Sequence, residues 1–282
     1  LPPDYTGGIQ AVSLRVAGGR GYLEAERGES TTVGIIWTPG LGNFSAALDY
    51  FTFTVNDQVD QLGPAGIVFA CYSSEFFPTD PLCSLFDRSN DNSGIDNVND
   101  SYINVAEQKN RGWDLSMQYA TDVGGAELIL DTQVNYQVEA VTALFEETAR
   151  DTNGEFGEPK LVGRLDASWY KNDWQLHYGL QYIGEVSNEK YLDGDLSTYR
   201  GETVRVKVRS GPIVYHSVSV AKSWDSGLMV RLGVSNLFDQ APPRVTTLDL
   251  GTKIDTVGNS AFASQYDYYG RRAWLNVTYT VR

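Results

Sequence analysis

Apolar and polar residues alternate one by one along this chain, over segments that reach ten residues or more. Between Leu128 and Glu139, the even-numbered positions carry Leu, Leu, Thr, Val, Tyr and Val, and the odd-numbered positions carry mostly Asp, Gln, Asn and Glu. Residues 174–182 and 228–235 follow the same pattern. Because successive side chains of a β-strand point to opposite faces, each segment is predicted to be a strand with one apolar and one polar face.

About nine segments of this kind occur along the chain. Many are longer than the ~5–6 residues that are usual in soluble sheets, whereas a tilted strand that crosses a bilayer needs ~9–11 residues. No run of ~18 apolar residues is present, which excludes a membrane-spanning helix. The predicted strands lie near residues 30–38, 43–57, 102–120, 126–140, 160–170, 174–186, 213–223, 228–238 and 267–281.

The connections between these segments alternate between short and long. Tight turns are predicted at residues 39–42, 122–125, 171–173 and 225–227, and long polar segments at 58–101, 141–159, 187–212 and 239–266. This asymmetry is typical of outer-membrane barrels, which have short periplasmic turns and long extracellular loops, and a soluble sandwich has no reason to keep it. The sequence therefore predicts an all-β fold, a transmembrane antiparallel β-barrel.

Aromatic residues lie near the ends of the apolar faces, where a barrel needs an interfacial girdle. The alternative interpretation is that they form the core of a soluble sandwich. These residues are Trp113, Tyr119, Tyr136, Trp169, Trp174 and Tyr182.

The charge and the motifs exclude several functions. The net charge is −14, with 22 Lys and Arg against 36 Asp and Glu, whereas a nucleic-acid partner requires a basic excess. No Gly-x-Ser-x-Gly elbow, phosphate-binding glycine loop or Cys-x-x-Cys motif occurs, so the chain is not predicted to be an enzyme. His177 falls on a polar strand face and His216 near a strand end, and neither is predicted to be a general base.

Cys71 and Cys83 lie close together in the long polar segment 58–101. In an oxidising compartment such a pair predicts a disulfide that staples the loop, and two free thiols are the alternative. Two acidic stretches could bind calcium, which takes six to eight oxygen ligands, although neither has the spacing of a known calcium loop. A hydrated anionic surface is the other interpretation, and no further cofactor is predicted. The acidic residues are Asp87, Asp91, Asp96, Asp100, Asp193 and Asp195.

Two short motifs near the end of the chain resemble those of a known family. The first is Asn236-Leu237-Phe238-Asp239, followed by two prolines, and the second is the Gly270-Arg271 pair within a Tyr-rich segment. Both are similar to the C-terminal barrel region of TonB-dependent outer-membrane receptors. Residues 34–39 and 111–114 resemble strand segments of the same family. The cysteine pair resembles one that many members carry in an extracellular loop.

The resemblance implies a barrel of 22 strands that encloses an N-terminal plug. Residues 1–282 are expected to supply about nine strands from its C-terminal part, while the plug and the remaining strands belong to the same protein or a separate chain. Such a receptor lies in the bacterial outer membrane, among lipid and lipopolysaccharide. It imports a scarce nutrient, such as a ferric siderophore or an oligosaccharide, and the TonB–ExbB–ExbD system energises it through the plug. A passive porin-like channel and an extracellular adhesin or structural module are the alternatives.

Aromatic residues in the predicted extracellular loops are candidates for contact with a small nutrient ligand. They could stack on a sugar ring or on the aromatic group of a siderophore. Alternatively, they pack the loops against one another. These residues are Tyr72, Phe76, Phe77, Phe86, Tyr191, Tyr199 and Phe262.

Overall fold

The structure is a computed structural model. It describes residues 12–19, 23–40, 43–88, 94–143, 149–191, 196–199, 201–248, 254–260 and 265–281. The chain divides into two compact units, which are described separately. The lobe unit comprises Leu1–Glu29, Phe53–Lys109 and Val141–Arg150, and the wall unit comprises Ser30–Thr52, Asn110–Ala140 and Asp151–Arg282.

Strands dominate the described residues. The nine strands of the main sheet are β2 (Arg27–Trp37), β3 (Asn43–Asp60), β5 (Ile95–Asp122), β6 (Glu127–Ala143), β8 (Leu161–Lys171), β9 (Trp174–Ile183), β14 (Ile213–Ser223), β15 (Leu228–Ser235) and β18 (Arg272–Tyr279). The other strands are β1 (Val12–Gly19), β4 (Phe86–Arg88), β7 (Arg150–Asp151), β10 (Val186–Ser187), β11 (Leu196–Tyr199), β12 (Glu202–Arg205), β13 (Arg209–Ser210), β16 (Arg244–Leu248) and β17 (Ile254–Ser260). Helix α1 is Gly63–Ser73, and 3₁₀-helices span Pro81–Leu85 and Glu189–Tyr191.

The main sheet of the wall unit is a meander. Its spatial order, β2-β3-β5-β6-β8-β9-β14-β15-β18, is also the order of these strands along the chain. The pairs from β6 to β18 are antiparallel and keep an unbroken register. These nine strands correspond to the nine predicted from alternation, so the predicted all-β antiparallel fold is confirmed.

Tight turns join the strands at one end of this sheet, which is called the turn end. At residues 122–125 the backbone reverses through Gly124 and Gly125, whose φ angles of 64° and 73° favour glycine. The other end, the loop end, carries the long connections. At the loop end Ile183, Tyr215, Val245 and Tyr266 form a buried apolar cluster.

Alternation gives the sheet an apolar face and a polar face. One register row of the apolar face runs through Leu128, Trp169, Leu176, Val220, Leu232 and Leu275. Leu232 and Leu275 are 54% and 62% exposed, so this face is not the inside of a sandwich core in the described residues. The polar face carries the neighbouring row, Ser168, His177, Ser219 and Gly233.

The lobe unit has a small core of its own, formed by Leu62, Ile67, Leu85, Ile95 and Val98. The Cys71–Cys83 disulfide joins helix α1 to the following 3₁₀-helix, which confirms the predicted disulfide.

Two features of the lobe unit were not predicted. Helix α1 lies in the segment that was expected to be a polar loop. Its apolar residues are distributed around the helix instead of forming one stripe, so the sequence shows no helical periodicity there. Strand β1 pairs in parallel with the beginning of β5, with Val12 opposite Asn97. In the described part of the chain, no helix combines the length and the apolar character needed to cross a membrane.

Candidate functional site: a polar cavity and an aromatic lobe

A cavity of about 1130 Å³ lies on the polar face of the wall unit. Its lining combines side chains of the main-sheet strands with residues that precede β18. Most of these side chains are polar, because alternation sends the polar set of every strand to this face. They include Asp49, Asp114, Gln133, Asn135, Arg164, Asp166, Gln181, Ser217, Asp267 and Arg272.

An ion-pair cluster occupies the middle of this face. Asp131 and Asp166 are opposite each other on β6 and β8, an arrangement that repels like charges. Arg164 forms an ion pair with Asp166, and His177 Nε2 lies 3.1 Å from the other carboxylate oxygen of Asp166. The guanidinium charge of Arg164 offsets the repulsion between the carboxylates, and His177 is a second polar partner of Asp166. His177 is therefore on the polar face, as its position in the sequence predicted.

Hydrogen bonds between side chains of different strands continue on both sides of this cluster, one between the neighbours β5 and β6 and one that passes over β14 from β15 to β9. Asn135 Nδ2 donates to Asp114 Oδ1 at 2.8 Å, and Arg231 Nη2 donates to Gln175 Oε1 at 2.7 Å. The face is thus a polar surface whose side chains are positioned by hydrogen bonds and charged contacts with one another. It suits contact with water, a polar ligand or another polar protein surface.

The Asn236-Leu237-Phe238-Asp239 motif forms a turn directly after β15. Asn236 has a φ angle of 49°, is buried, and bonds Gln240 through both atoms of its amide. Asp239 Oδ1 accepts the backbone N–H of Arg271 at 2.8 Å. Gly270 has a φ angle of 70°, and a Cβ there would lie 2.7 Å from Asp239 Oδ1. The two motifs therefore form one connection that places the start of β18.

A second set of contacts fixes the same segment. Tyr215 on β14 accepts a hydrogen bond from the backbone N–H of Asp267 at 3.1 Å. The Asp267 carboxylate accepts two bonds from the Arg272 guanidinium, at 3.1 and 3.4 Å, and that guanidinium also lies 4.9 Å from the ring of Tyr269. Burial, with smaller contributions from neighbouring Tyr215 and Tyr268, raises the pKa of Tyr266 to about 12, and burial also raises the pKa of Tyr268.

The lobe unit gathers four of the predicted loop aromatics. The Tyr72 ring lies 5.0 Å from that of Phe77 and 6.0 Å from that of Phe86. Arg88 Nε donates to the Tyr72 hydroxyl at 2.9 Å. Phe76 stands next to this cluster in sequence and is 70% exposed, while Phe77 is 48% exposed. The cluster thus combines packed rings with exposed ones.

Two members of this region were not predicted from the sequence. Phe69, on helix α1, is also exposed, and Arg88 stacks on the Tyr72 ring at 5.4 Å. An arginine two residues after Phe86 was a signal for the second contact, because guanidinium groups stack on aromatic rings. Phe69 gave no such signal, since its exposure depends on how α1 packs.

Other predicted residues have a mixed outcome. Phe262, Asp91, Asp193 and Asp195, and the side chains of Tyr191, Tyr199 and Asp96, lie outside the described part of the chain. Asp100 is buried, and its Oδ1 accepts the N–H of Gly63 at the start of α1, at 3.1 Å. Among the described residues, no three His, Cys, Asp or Glu side chains come together to hold a metal ion. The loop calcium site stays a prediction.

Comparison with known proteins identifies a family model. The model described as "TonB dependent receptor-like, beta-barrel" matches residues 3–237, which is most of the chain. No curated protein sequence matches.

Several solved structures have a similar fold. A mutant of the ferric enterobactin receptor PfeA from Pseudomonas aeruginosa aligns with a TM-score of 0.57 at 16% identity, over 91% of this chain and 31% of that one. The outer membrane transporter YddB from Escherichia coli aligns with a TM-score of 0.57 at 12% identity, over 96% of this chain and 34% of that one. The chain therefore spans about a third of the length of these proteins. At such identities the likeness shows the fold.

Proposed function

The chain belongs to the TonB-dependent receptor family, and from this premise we propose that it forms the C-terminal part of the barrel of an active nutrient importer. The observation that carries the proposal is the nine-stranded meander, with an exposed apolar face and a polar face that borders a cavity. TonB-dependent receptors are outer-membrane proteins, and we propose that this chain lies in the bacterial outer membrane.

Lipid is the partner that suits the apolar face. Leu232 and Leu275 are exposed in the middle of β15 and β18. Contact between these apolar side chains and water is unfavourable. In a bilayer every backbone N–H and C=O must be paired within the protein, so strands cross only as a closed barrel. The wall unit supplies nine strands of such a barrel. The other strands and a plug, from the same protein or from a separate chain, complete it.

The polar face then borders the interior of the barrel. The plug lies in this interior, and the transported nutrient passes through it. The contacts of Arg164 and His177 with Asp166 and the hydrogen bond between Asn135 and Asp114 hold these polar side chains on this surface. The TonB–ExbB–ExbD system, acting through the plug, supplies the energy for import. The ligand is a small scarce nutrient, such as a ferric siderophore or an oligosaccharide.

The exposed rings of the lobe unit are proposed to contact this ligand. Phe76 and Phe77 present flat apolar surfaces beside the Tyr72 ring, and either a sugar ring or an aromatic siderophore group can stack on such surfaces. The Cys71–Cys83 disulfide holds these rings in place.

Uptake in cells tests the transport function. Cells that produce the intact receptor are compared with cells that lack it, over a panel of labelled ferric siderophores and oligosaccharides, with and without a protonophore. We expect uptake of one ligand class to require both the receptor and the proton gradient. Uptake that survives the protonophore would support a passive channel instead. A protein that stays soluble without detergent would support an extracellular module.

A pair of substitutions tests the ligand contact. Replacing both Phe76 and Phe77 with Ala is expected to weaken ligand binding about tenfold or more, because each stacked ring contributes ~0.5–1.5 kcal/mol. The matched control is Val123→Ala, an equally exposed apolar residue at the turn end. Unchanged affinity in the double variant would contradict the role of these rings, while leaving the transport function in place.

A further inference from the structure

Two lysines flank a tryptophan on the apolar face of the wall unit, at the turn end. Lys171 is opposite Trp174 across the β8–β9 pair, and Lys222 is opposite Trp174 across the β9–β14 pair. The three residues therefore form one row across three strands. Neighbouring strands are about 4.8 Å apart, so the two lysine backbones are separated by roughly 10 Å.

Both ammonium groups are held by the protein. The Lys222 Nζ lies 4.9 Å from the centre of the Trp174 ring and 5.4 Å from that of Trp224. The Lys171 Nζ donates to the backbone carbonyl of Gly124 at 2.9 Å. These contacts fix the positions of the charges without neutralising them.

Among the described residues, neither ammonium has an acidic partner. Asp173 and Asp225 are close to the two lysines in sequence. However, no carboxylate of the described residues lies within 4.0 Å of the Nζ of Lys171 or Lys222. An ammonium group has three N–H donors, and in the described residues Lys171 donates one of them, to the Gly124 carbonyl. In a chain with 36 acidic and 22 basic residues, two such unpaired cations side by side call for an anion from outside the protein.

The surroundings indicate what carries that anion. The next register row of the same face contains Leu176, Val220 and Leu232, and Leu176 and Leu232 are exposed. A ligand that contacts both rows has an anionic head beside the lysines and an apolar tail along these side chains. A phospholipid has this form, and tryptophan and lysine are the residues that favour the depth of lipid headgroups.

We propose that Lys171, Trp174, Lys222 and Trp224 form a binding site for the headgroup of an anionic phospholipid in the periplasmic leaflet. The inference rests on the proposed function only in that the apolar face meets lipid. The phosphate lies against the two ammonium groups, and the acyl chains lie along Leu176 and Leu232. The site selects anionic over neutral headgroups because the two lysine charges are not otherwise paired.

Lipid retention by the intact receptor tests this site. The receptor is placed in nanodiscs that contain equal amounts of phosphatidylglycerol and phosphatidylcholine, and the lipids that remain bound are counted by native mass spectrometry. We expect wild-type protein to retain phosphatidylglycerol preferentially. The double variant Lys171→Gln with Lys222→Gln is expected to lose this preference, with retention falling about fivefold for each lysine.

Two further variants complete the test. Lys207→Gln removes the same charge from an exposed loop position and is expected to leave the preference unchanged. The Lys171→Arg with Lys222→Arg variant keeps the charges and is expected to keep the preference, which also shows that the row tolerates substitution. Equal retention of both lipids by wild type, or wild-type preference in the double Gln variant, would overturn the proposal.

Failure of this site is distinguishable from failure of the transport function. Energy-dependent uptake is measured separately in cells. A receptor that imports its nutrient but retains no preferred lipid contradicts only the lipid site. A receptor that retains the lipid but imports nothing contradicts only the transport function.

Discussion

The wall unit leaves large apolar side chains exposed, whereas the lobe unit buries a small apolar core of its own. Leu275 on β18 is 62% exposed, and Ile67 on α1 is 1% exposed. The wall unit is held by ladders of backbone hydrogen bonds between consecutive strands. The lobe unit is held by side-chain packing and a disulfide.

This difference shows that one chain is adapted to two solvents. Burial of apolar surface from water stabilises the lobe unit, as in any soluble domain. The apolar face of the wall unit needs no burial within the protein if lipid covers it. Substitutions of the same kind should therefore have different effects in the two units.

The largest effect is expected in the lobe core. Ile67→Ala should destabilise the lobe unit by about 2–5 kcal/mol, because it removes a fully buried side chain and leaves a cavity. Hydrogen exchange of residues 63–88 in the intact receptor measures this change. Phe69→Ala, on the exposed side of the same helix, is the control and should have little effect. If both variants exchange alike, the lobe has no core of the kind described.

A charge on the apolar face should affect the wall unit. Leu232→Lys places an ammonium on that face, one register row from Lys222. It should destabilise the barrel in a bilayer by about 1–3 kcal/mol, because the cost of a charge rises from the interface to the midplane. Barrel stability is measured from the fraction of protein that migrates as the folded, heat-modifiable form on gels over a series of denaturant concentrations. Leu196→Lys, at an exposed position on β11, makes the same chemical change away from the main sheet. Equal stability of the two variants would argue against lipid on this face.

Loss of the disulfide should weaken the lobe unit alone. Replacing Cys71 and Cys83 with Ser should cost about 3 kcal/mol, the chain-entropy value for a loop of this length. Limited proteolysis within residues 63–88 measures the lobe, and heat-modified mobility measures the wall. A fall in barrel stability equal to that of the lobe would show that the two units do not respond independently.

The smallest effect is expected for Tyr266→Phe. The buried hydroxyl of Tyr266 has no hydrogen-bond partner among the described residues. Its removal relieves the cost of burying an unpaired polar group and should stabilise the protein by about 1 kcal/mol at neutral pH.

The same variant should alter the response to alkaline pH. The pKa of Tyr266 is raised from 10.0 to about 12, so the folded protein keeps its proton while the unfolded chain loses it. Stability that is present below pH 10 is therefore lost as the pH rises towards 12. The variant should lack this loss, and ultraviolet titration of tyrosinate should show one late-titrating group fewer. An unchanged titration would contradict the burial of Tyr266.

Alternation predicted the wall unit well because the apolar and polar faces of each strand are visible in the sequence of that strand alone. The segment around Trp174–Tyr182 needs no distant residue to reveal its faces. The turn glycines were visible for the same reason, since their backbone conformation is local. The polar position of His177 followed from the same pattern, although its contact with Asp166 did not.

The lobe unit was harder to predict because its structure depends on contacts between distant residues. Asp100 lies 37 residues after Gly63, yet it accepts the hydrogen bond at the start of α1. The acidic stretch that contains Asp100 suggested a calcium loop, and only the fold shows that this carboxylate already has a partner.

The sequence by itself determined the strands, their faces, the alternation of turns and loops, and the family. These properties are local or repeated, so each segment carries its own information. Only the tertiary structure decided which polar side chains meet around the cavity, how Asp239 contacts Arg271, and that Lys171 and Lys222 flank Trp174. These depend on strand register, and register is set by pairing between segments that are far apart in the chain.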